Sequence, residues 1–276
     1  MFELPEVMVL ARQMNELVKG KQIADASLGN SPHKFAWYNR SDSEFRSLVT
    51  GKTIGHSKAL GRWMVTDIGT EHRMVLGETG GKLLLNKPNT ALPPKYHFLL
   101  RFSDESFLTL QIQMWGAIEL YEAGAELNRD YIRGMAVTPA DPGFTMDYFH
   151  DLVEQERSKG KRSVKSLLTQ EQTIPGLGNS CAQDIMFASR LHPKRDLADL
   201  SPRDIDTLYT AIRQIVEDIY TAGGRNDEVD LLGNRGGYIR IMDASTAGKP
   251  CPHCGTIIQK IQYLGGACYF CPACQR

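Results

Sequence analysis

The stretch CPHCGTIIQKIQYLGGACYFCPACQR, residues 251–276, decides how the fold ends. It holds five of the six cysteines: two C-x-x-C pairs, Cys251/Cys254 and Cys271/Cys274, and the extra Cys268. A secreted disulfide framework spreads its bridges along a chain, whereas a terminal cluster of this kind reads as a metal site. Each pair sets two thiolates on one tight turn. A β-hairpin between the pairs brings the turns together into a tetrahedral sulfur cage, closed to water and therefore a site for one structural Zn2+. Ile257, Ile258, Ile261 and Tyr263 read as the outgoing strand, Gly265-Gly266 as the bend and Tyr269-Phe270 as the return. So short a segment has little core of its own, and metal binding supplies much of its stability. Cys268 turns one pair into C-x-x-C-x-x-C, a spacing also used for iron–sulfur ligation. Four ligands already complete the zinc cage, which leaves Cys268 a spare thiol. His253 reads as a surface group beside the ligands, and Cys181 as a buried helix residue.

Working outward, the residues before the cage are helical in pattern. Met146 to Arg157, Val164 to Gln172, a helix containing Gln183 to Ala188, and a long helix from Pro202 to Tyr220 follow one another. Between the second and third, IPGLGN makes two tight turns, with Asn179 expected to cap the helix that follows. Gly176 and Gly178 remove side chains where backbone can approach a ligand, and the N–H groups of such turns suit a phosphate. The stretch TAGGRNDEVDLLGNRGGYIRI, 221–241, is too long and irregular for a plain connection, and loops of this size often carry function.

The front of the chain reads differently. Val7, Leu10, Met14, Leu17 and Val18 form one stripe of an amphipathic helix over residues 4–19, with Pro5 in its first turn. From about 22 to 125, short apolar runs alternate with Gly, Pro and Asn. The clearest are 63–68, 74–78, 82–86, 97–102, 106–113 and 117–121, a spacing that predicts an antiparallel sandwich or barrel. The expected division is 1–125, 126–241 with the two-turn motif at about 162–188, and 242–276.

Charge alone is ambivalent. The chain of 276 residues has 32 basic and 32 acidic side chains, net zero, where a nucleic-acid binder usually shows a basic excess. Locally, Lys159, Lys161, Arg162 and Lys165 form a basic patch, Lys194 and Arg195 a smaller one, and no carboxylate side chain follows Asp243. The longest apolar stretches are only a few residues, which excludes a membrane span. Acids at positions 3 and 6 and no basic leader make a signal peptide unexpected, so a cytoplasmic protein is anticipated, nucleoid-associated if bacterial, and monomeric.

Taken together, ELPEV with its helix, VKSLLTQEQTIPGLGN, the helix running to LHP and the four-cysteine finger resemble the formamidopyrimidine-DNA glycosylase/endonuclease VIII family over nearly the whole chain. The resemblance implies an α+β multi-domain fold: an N-terminal β-sandwich with an N-terminal helix, a C-terminal helical domain with a helix–two-turn–helix, and a C-terminal zinc-finger β-hairpin. It implies double-stranded DNA as partner, with a damaged base or abasic site, and flipping of that base before its glycosidic bond is cut. In the family an N-terminal proline amine, freed by loss of the initiator methionine, is the nucleophile and the adjacent glutamate handles protons.

Carried over residue by residue, the resemblance makes Glu3 the proton-handling glutamate, Glu6 the next acid, Asn179 the phosphate-binding asparagine and Lys165 a retained basic residue before the turns. Other positions depart from the pattern. Phe2 stands where the proline belongs, so Met1 is expected to stay; its primary amine is a catalytic candidate, able in principle to form an imine but one residue off the reacting point, where about 1 Å of misplacement costs roughly 100-fold. Arg62 replaces a phosphate-binding lysine. Glu78 replaces the methionine that fills the hole left by the flipped base, where a carboxylate is unfavourable. Met114 replaces an arginine filler, Trp115 can wedge or stack, and Gly266 replaces a contact arginine on the finger. Three functions compete: a divergent glycosylase that hydrolyses the bond through Glu3 with imine-based strand cleavage in doubt, a catalytically silent binder of damaged or distorted DNA, and a scaffold that has left DNA.

Overall fold

A computed structural model describes residues 1–135 and 137–276. The chain forms two compact units, Met1–Ala136 with Ala222–Tyr238, and Val137–Thr221 with Ile239–Arg276.

The first unit is the expected sandwich. Helix α1 (Leu4–Leu17) precedes nine strands: β1 (Ile23–Ser27), β2 (Ala36–Tyr38), β3 (Ile54–Leu60), β4 (Trp63–Ile68), β5 (His72–Gly77), β6 (Gly81–Asn86), β7 (Phe98–Phe102), β8 (Phe107–Ile112) and β9 (Gly116–Glu122). Helices α2 (Asp42–Val49) and α3 (Asp130–Arg133) complete it. One sheet runs β1-β7-β8-β6 and the other β2-β9-β5-β4-β3, so two open sheets rather than a barrel carry the core. The pairings are antiparallel except β2 with β9. Leu83, Phe98, Leu100 and Leu110 of the first sheet meet Met64, Ile68, Met74 and Leu120 of the second, with Leu10 and Met14 of α1 added. Alternation along each strand delivers these residues to one face.

All six apolar runs singled out in the sequence are strands here. β1, β2, β3 and α2 carry no comparable run. The α1 stripe differs at one place: Val18 is buried while Leu17 is 37% exposed. Val18, four residues after Met14, takes the core position and turns Leu17 to the rim. Asn15 ties α1 to β3, donating from Nδ2 to the Ser57 carbonyl at 2.7 Å and accepting from Ser57 N–H at 2.8 Å.

Residues 222–238 belong to this unit and not, as expected, to the helical region 126–241. Side-chain bonds explain the difference. Gln13 of α1 donates to Asp230 at 2.9 Å and accepts from the Leu231 N–H at 2.8 Å, and Leu231 lies in the sandwich core.

The second unit comprises α4 (Met146–Ser158), α5 (Val164–Thr169), α6 (Asn179–Ala188), α7 (Pro202–Thr221) and the hairpin β10 (Gln259–Tyr263)–β11 (Gly266–Phe270). α6 packs on α7 and on β11. The α5 helix stops at Thr169, before the expected Gln172, because Glu171 and Gln172 both take left-handed backbone, φ 54° and 53°. Gln172 then braces the second turn: its carbonyl accepts from Gly176 N–H at 2.9 Å and its amide donates to the Leu177 carbonyl at 3.0 Å.

The hairpin bend falls one residue earlier than Gly265-Gly266. Tyr263 pairs with Gly266, leaving Leu264 and Gly265 as a two-residue turn with φ 51° and 73°. Two positive values match the primed turns that suit the twist of paired strands. Cys268 faces inward and is fully buried, as is Cys181.

Candidate functional site

In the first unit the sequence candidates gather around the chain's first residues. Glu6 lies one turn before Leu10 on the buried face of α1 and is 3% exposed, so its carboxylate requires partners. It has four donors. Glu3 N–H reaches Glu6 Oε2 at 2.9 Å, and the Arg225 backbone N–H reaches Oε1 at 3.2 Å. The Arg225 guanidinium adds a fork, Nε to Oε1 at 2.8 Å and Nη2 to Oε2 at 3.0 Å. Arg225 is itself 1% exposed, a buried charge held by a two-point contact of the kind only arginine makes.

The same guanidinium organises the N terminus. Its Nη2 donates to the Met1 carbonyl at 3.0 Å, and Nη1 lies 3.6 Å from Glu3 Oε1. Glu3 is also buried. The Met1 amine is more open and pairs with Glu228 Oε1 at 2.7 Å. Phe2 points into the core, with its N–H bonded to the Thr79 carbonyl at 2.9 Å. A phenyl group belongs there on burial grounds alone, so Met1 rather than residue 2 carries the accessible nitrogen.

Arg62 comes close to the same residue: its Nη1 lies 3.4 Å from Met1 Sδ and 3.3 Å from Glu78 Oε2. Glu78 also accepts from the Tyr131 hydroxyl. Glu78 is therefore held by Arg62 and Tyr131, which removes the objection to a carboxylate at this position. Burial, and then Glu78, push the Tyr131 phenol up to about 12. Met114 and Trp115 occupy the β8–β9 turn, fastened by Gly80, whose N–H donates to the Trp115 carbonyl at 2.8 Å and whose carbonyl accepts from Met114 N–H at 3.1 Å. Both side chains are 53% exposed, and the Trp115 ring lies against Phe35, centroids 4.4 Å apart.

In the second unit Lys165, Asn179 and Gly266 come together. Lys165 is 1% exposed and its Nζ donates to the Tyr263 carbonyl at 2.6 Å, so it clamps the hairpin from beneath. Asn179 is exposed but does not cap α6. Gly178 is the cap residue, and Asn179 is the first helical residue, leaning on the Ala267 carbonyl at 3.4 Å. Extended backbone at Gly178 already starts the helix, which frees the asparagine amide. Gln183, one turn on, donates to Ala267 O at 2.8 Å and accepts from Tyr269 N–H at 3.0 Å, docking α6 on the return strand. A Cβ at Gly266 would sit 3.5 Å from Asn179 Oδ1 and 3.6 Å from Lys165 Nζ. A long side chain there would stand over both groups.

Cys251, Cys254, Cys271 and Cys274 place their sulfurs within 4.8 Å of one another. The Cys251–Cys274 and Cys254–Cys271 separations are 3.9 and 3.4 Å. Four Zn–S bonds of about 2.3 Å at tetrahedral angles put sulfurs roughly 3.8 Å apart, so the donors suit a tetrahedral metal.

Arg225, Glu228, Gln183 and Tyr131 were not read from the sequence. One signal was available: a glutamate on the buried face of a helix demands a cation, and the irregular 221–241 stretch supplies one. Among the described residues no helix is long and apolar enough to cross a membrane.

A sandwich with an N-terminal helix, a helix–two-turn–helix and a four-cysteine hairpin define a DNA-glycosylase type of fold. Residues 1–126 match the formamidopyrimidine-DNA glycosylase N-terminal domain, and residues 135–227 the formamidopyrimidine-DNA glycosylase H2TH domain. The two matches follow one another in chain order, a strong match to the formamidopyrimidine-DNA glycosylase family. A formamidopyrimidine-DNA glycosylase of Listeria innocua is 28% identical, over 99% of each chain, and one of Bacillus cereus strain ZK is 26% identical, over 99% of this chain and 98% of the relative. The fold agrees with that of Lactococcus lactis Fpg solved with DNA containing an abasic site, with TM-score 0.85 and 23% identity over 99% of each chain.

Proposed function

We propose that this chain binds duplex DNA carrying a damaged base and hydrolyses the glycosidic bond of that base, with Glu3 moving the proton and no imine formed at its own N terminus. The observation that carries the reading is the pairing of the Met1 amine with Glu228 at 2.7 Å beside a buried Glu3. The Met1 amine is engaged by a carboxylate, whereas Glu3, beside the Arg225 guanidinium, supplies a carboxylate that can carry a proton between water and the leaving base. In the step proposed, water forms a bond to C1′ while the C1′–N bond breaks. Glu3 takes a proton from the water and returns it to the leaving base nitrogen. Glu6 serves as a positioning residue, because its four donors leave it to hold Arg225.

Asn179 offers its amide to a DNA phosphate, with Lys165 keeping the hairpin in place beneath it. Arg62 stands near Met1 as a second cation, and Trp115 with Met114 forms the wedge that enters the stack when a base leaves it. One Zn2+ in the four-cysteine cage fixes the finger, where it supplies structure and no chemistry. The protein acts as a monomer in the bacterial cytoplasm, at the nucleoid; the bacterial sources of its relatives support that setting.

One observation favours a second reading, a silent binder of damaged DNA: the Arg225 guanidinium engages both acids of the candidate site, 3.6 Å from Glu3 and 2.8 Å from Glu6. Duplexes with single oxidised bases, assayed for binding and then for base release under hot alkali, separate the two. Glu3→Gln should lower release by about 100- to 10,000-fold with binding unchanged. Binding without release by the native protein establishes the silent reading, and absence of any preference for DNA over heparin removes both.

A further inference from the structure

Beyond the candidate site, the second unit has a cleft of about 810 Å³ between the end of α6, the start of α7 and the two cysteine turns. Arg190, Arg195, Arg203 and Arg276 line it together with His253. Elsewhere in this unit Lys159, Arg157 and Arg162 are paired with carboxylates. Among the described residues none of these four arginines has an ion pair. Asp204, also in the lining, accepts from the Ser201 N–H at 2.9 Å and hydroxyl at 2.7 Å, and Arg195 and Arg203 also help to hold its carboxyl below the usual range, so one carboxylate stands against the four arginines.

Two details point to a ligand. Arg195 Nε is buried and has no hydrogen-bond partner, although Nη2 of the same guanidinium donates to the Asp199 carbonyl at 2.9 Å. A buried donor left unpaired is costly, so this guanidinium has hydrogen-bonding capacity that its own chain does not fill. Arg190 takes left-handed backbone, φ 60°, just after the α6 cap, a position that favours glycine. Its side chain reaches His253 Nε2 at 3.2 Å at the edge of the cleft.

We propose that this cleft is a phosphate-binding site, separate from Asn179, that takes a multiply charged phosphate group through Arg195 and Arg203 with Arg190 and Arg276 at its edges. Planar guanidiniums match phosphate oxygens two at a time, and the N-terminal end of α7 adds a favourable field. The phosphate could belong to a free polyphosphate or to a nucleic-acid backbone; the chemistry recognised is the same.

Inorganic pyrophosphate titrated into the zinc-loaded full chain at low ionic strength, followed by calorimetry, tests the site. Native protein and Asn179→Ala should bind alike, whereas Arg195→Gln/Arg203→Gln should bind at least tenfold more weakly. Thr207→Glu, an exposed change on the same wall, should do likewise, so the test survives if the arginine variant does not fold. Competition by duplex DNA, and a salt dependence of DNA binding reduced by roughly two phosphate contacts in the double variant, would assign the backbone as source. Pyrophosphate binding without DNA competition would assign a free polyphosphate. Native protein that does not bind pyrophosphate, or variants that bind it equally well, would overturn the proposal. So would arginine variants whose only defect is loss of zinc, since the arginines would then merely balance the thiolates.

Discussion

Replacing Arg225 by alanine should destabilise the protein more than almost any other polar change. The guanidinium is 1% exposed, and its hydrogen bonds include two to Glu6 at 2.8 and 3.0 Å and one to the Met1 carbonyl at 3.0 Å. Without it, the buried Glu6 carboxylate keeps only the backbone N–H groups of Glu3 and residue 225. Breaking one side of a buried ion pair costs about 3–5 kcal/mol. At roughly 2–4 °C per kcal/mol for a chain of this size, the melting temperature should fall by about 6–20 °C. Arg225→Lys should fall between, because it keeps the charge and loses the fork. Adding Glu6→Gln to the alanine variant should recover part of the loss, giving a coupling energy of about 1–3 kcal/mol in a double-mutant cycle. Scanning calorimetry reads each value. A shift below about 2 °C for Arg225→Ala, or strict additivity in the cycle, would refute the role given to this buried pair.

Phe2→Ala should cost about 3–5 kcal/mol by emptying a core position, read by chemical denaturation. Lys165→Met should loosen the hairpin through loss of its bond to Tyr263 and cut DNA affinity even though residue 165 is not at the surface; fluorescence anisotropy with a lesion duplex measures this. Metal analysis should find one zinc per chain, and its removal by chelator should abolish DNA binding and the hairpin's order by NMR. Tyr131, whose phenol is raised to about 12 first by burial and then by Glu78, should titrate above the ordinary phenol range near 10. A raised folded value stabilises the protein below the ordinary phenol range near 10, and that stability is lost as pH climbs from there through about 12. Glu78→Gln should move the late tyrosinate transition, followed as the difference from Tyr131→Phe, towards the ordinary range without reaching it.

Much of the fold was legible because its signals are periodic. The six apolar runs of β4 to β9, bounded by Gly, Pro and Asn, are dense enough to be seen alone, and the cysteine spacing dictates a cage. β2 and α2 were not legible, since three residues and two buried side chains carry little pattern. Leu17 and Val18 could both continue the stripe of α1, and only the end of the helix decides between them. The misplaced bend has a specific cause. Gly265-Gly266 reads as a turn because glycine favours positive φ, yet Leu264 supplies one of the two positive values and Gly266 stays in the strand opposite Tyr263. At the candidate site, Glu3, Glu6 and Asn179 were found by their place in motifs. Arg225 and Glu228 were missed because their partners lie more than 200 residues away in sequence, inside a stretch with no periodicity. Lys165 looked like a surface cation in a basic patch. Nothing local to it announced that Tyr263, 98 residues on, would bury its ammonium.

Whether the Met1 nitrogen ever bonds to DNA is the most direct test. Native protein incubated with a duplex containing a damaged base or an abasic site, treated with borohydride and weighed intact, should retain Met1 and show no DNA adduct, while released base accumulates in a Glu3-dependent manner. A reduced adduct located on Met1 would contradict the account, because it would make the amine held by Glu228 the nucleophile after all.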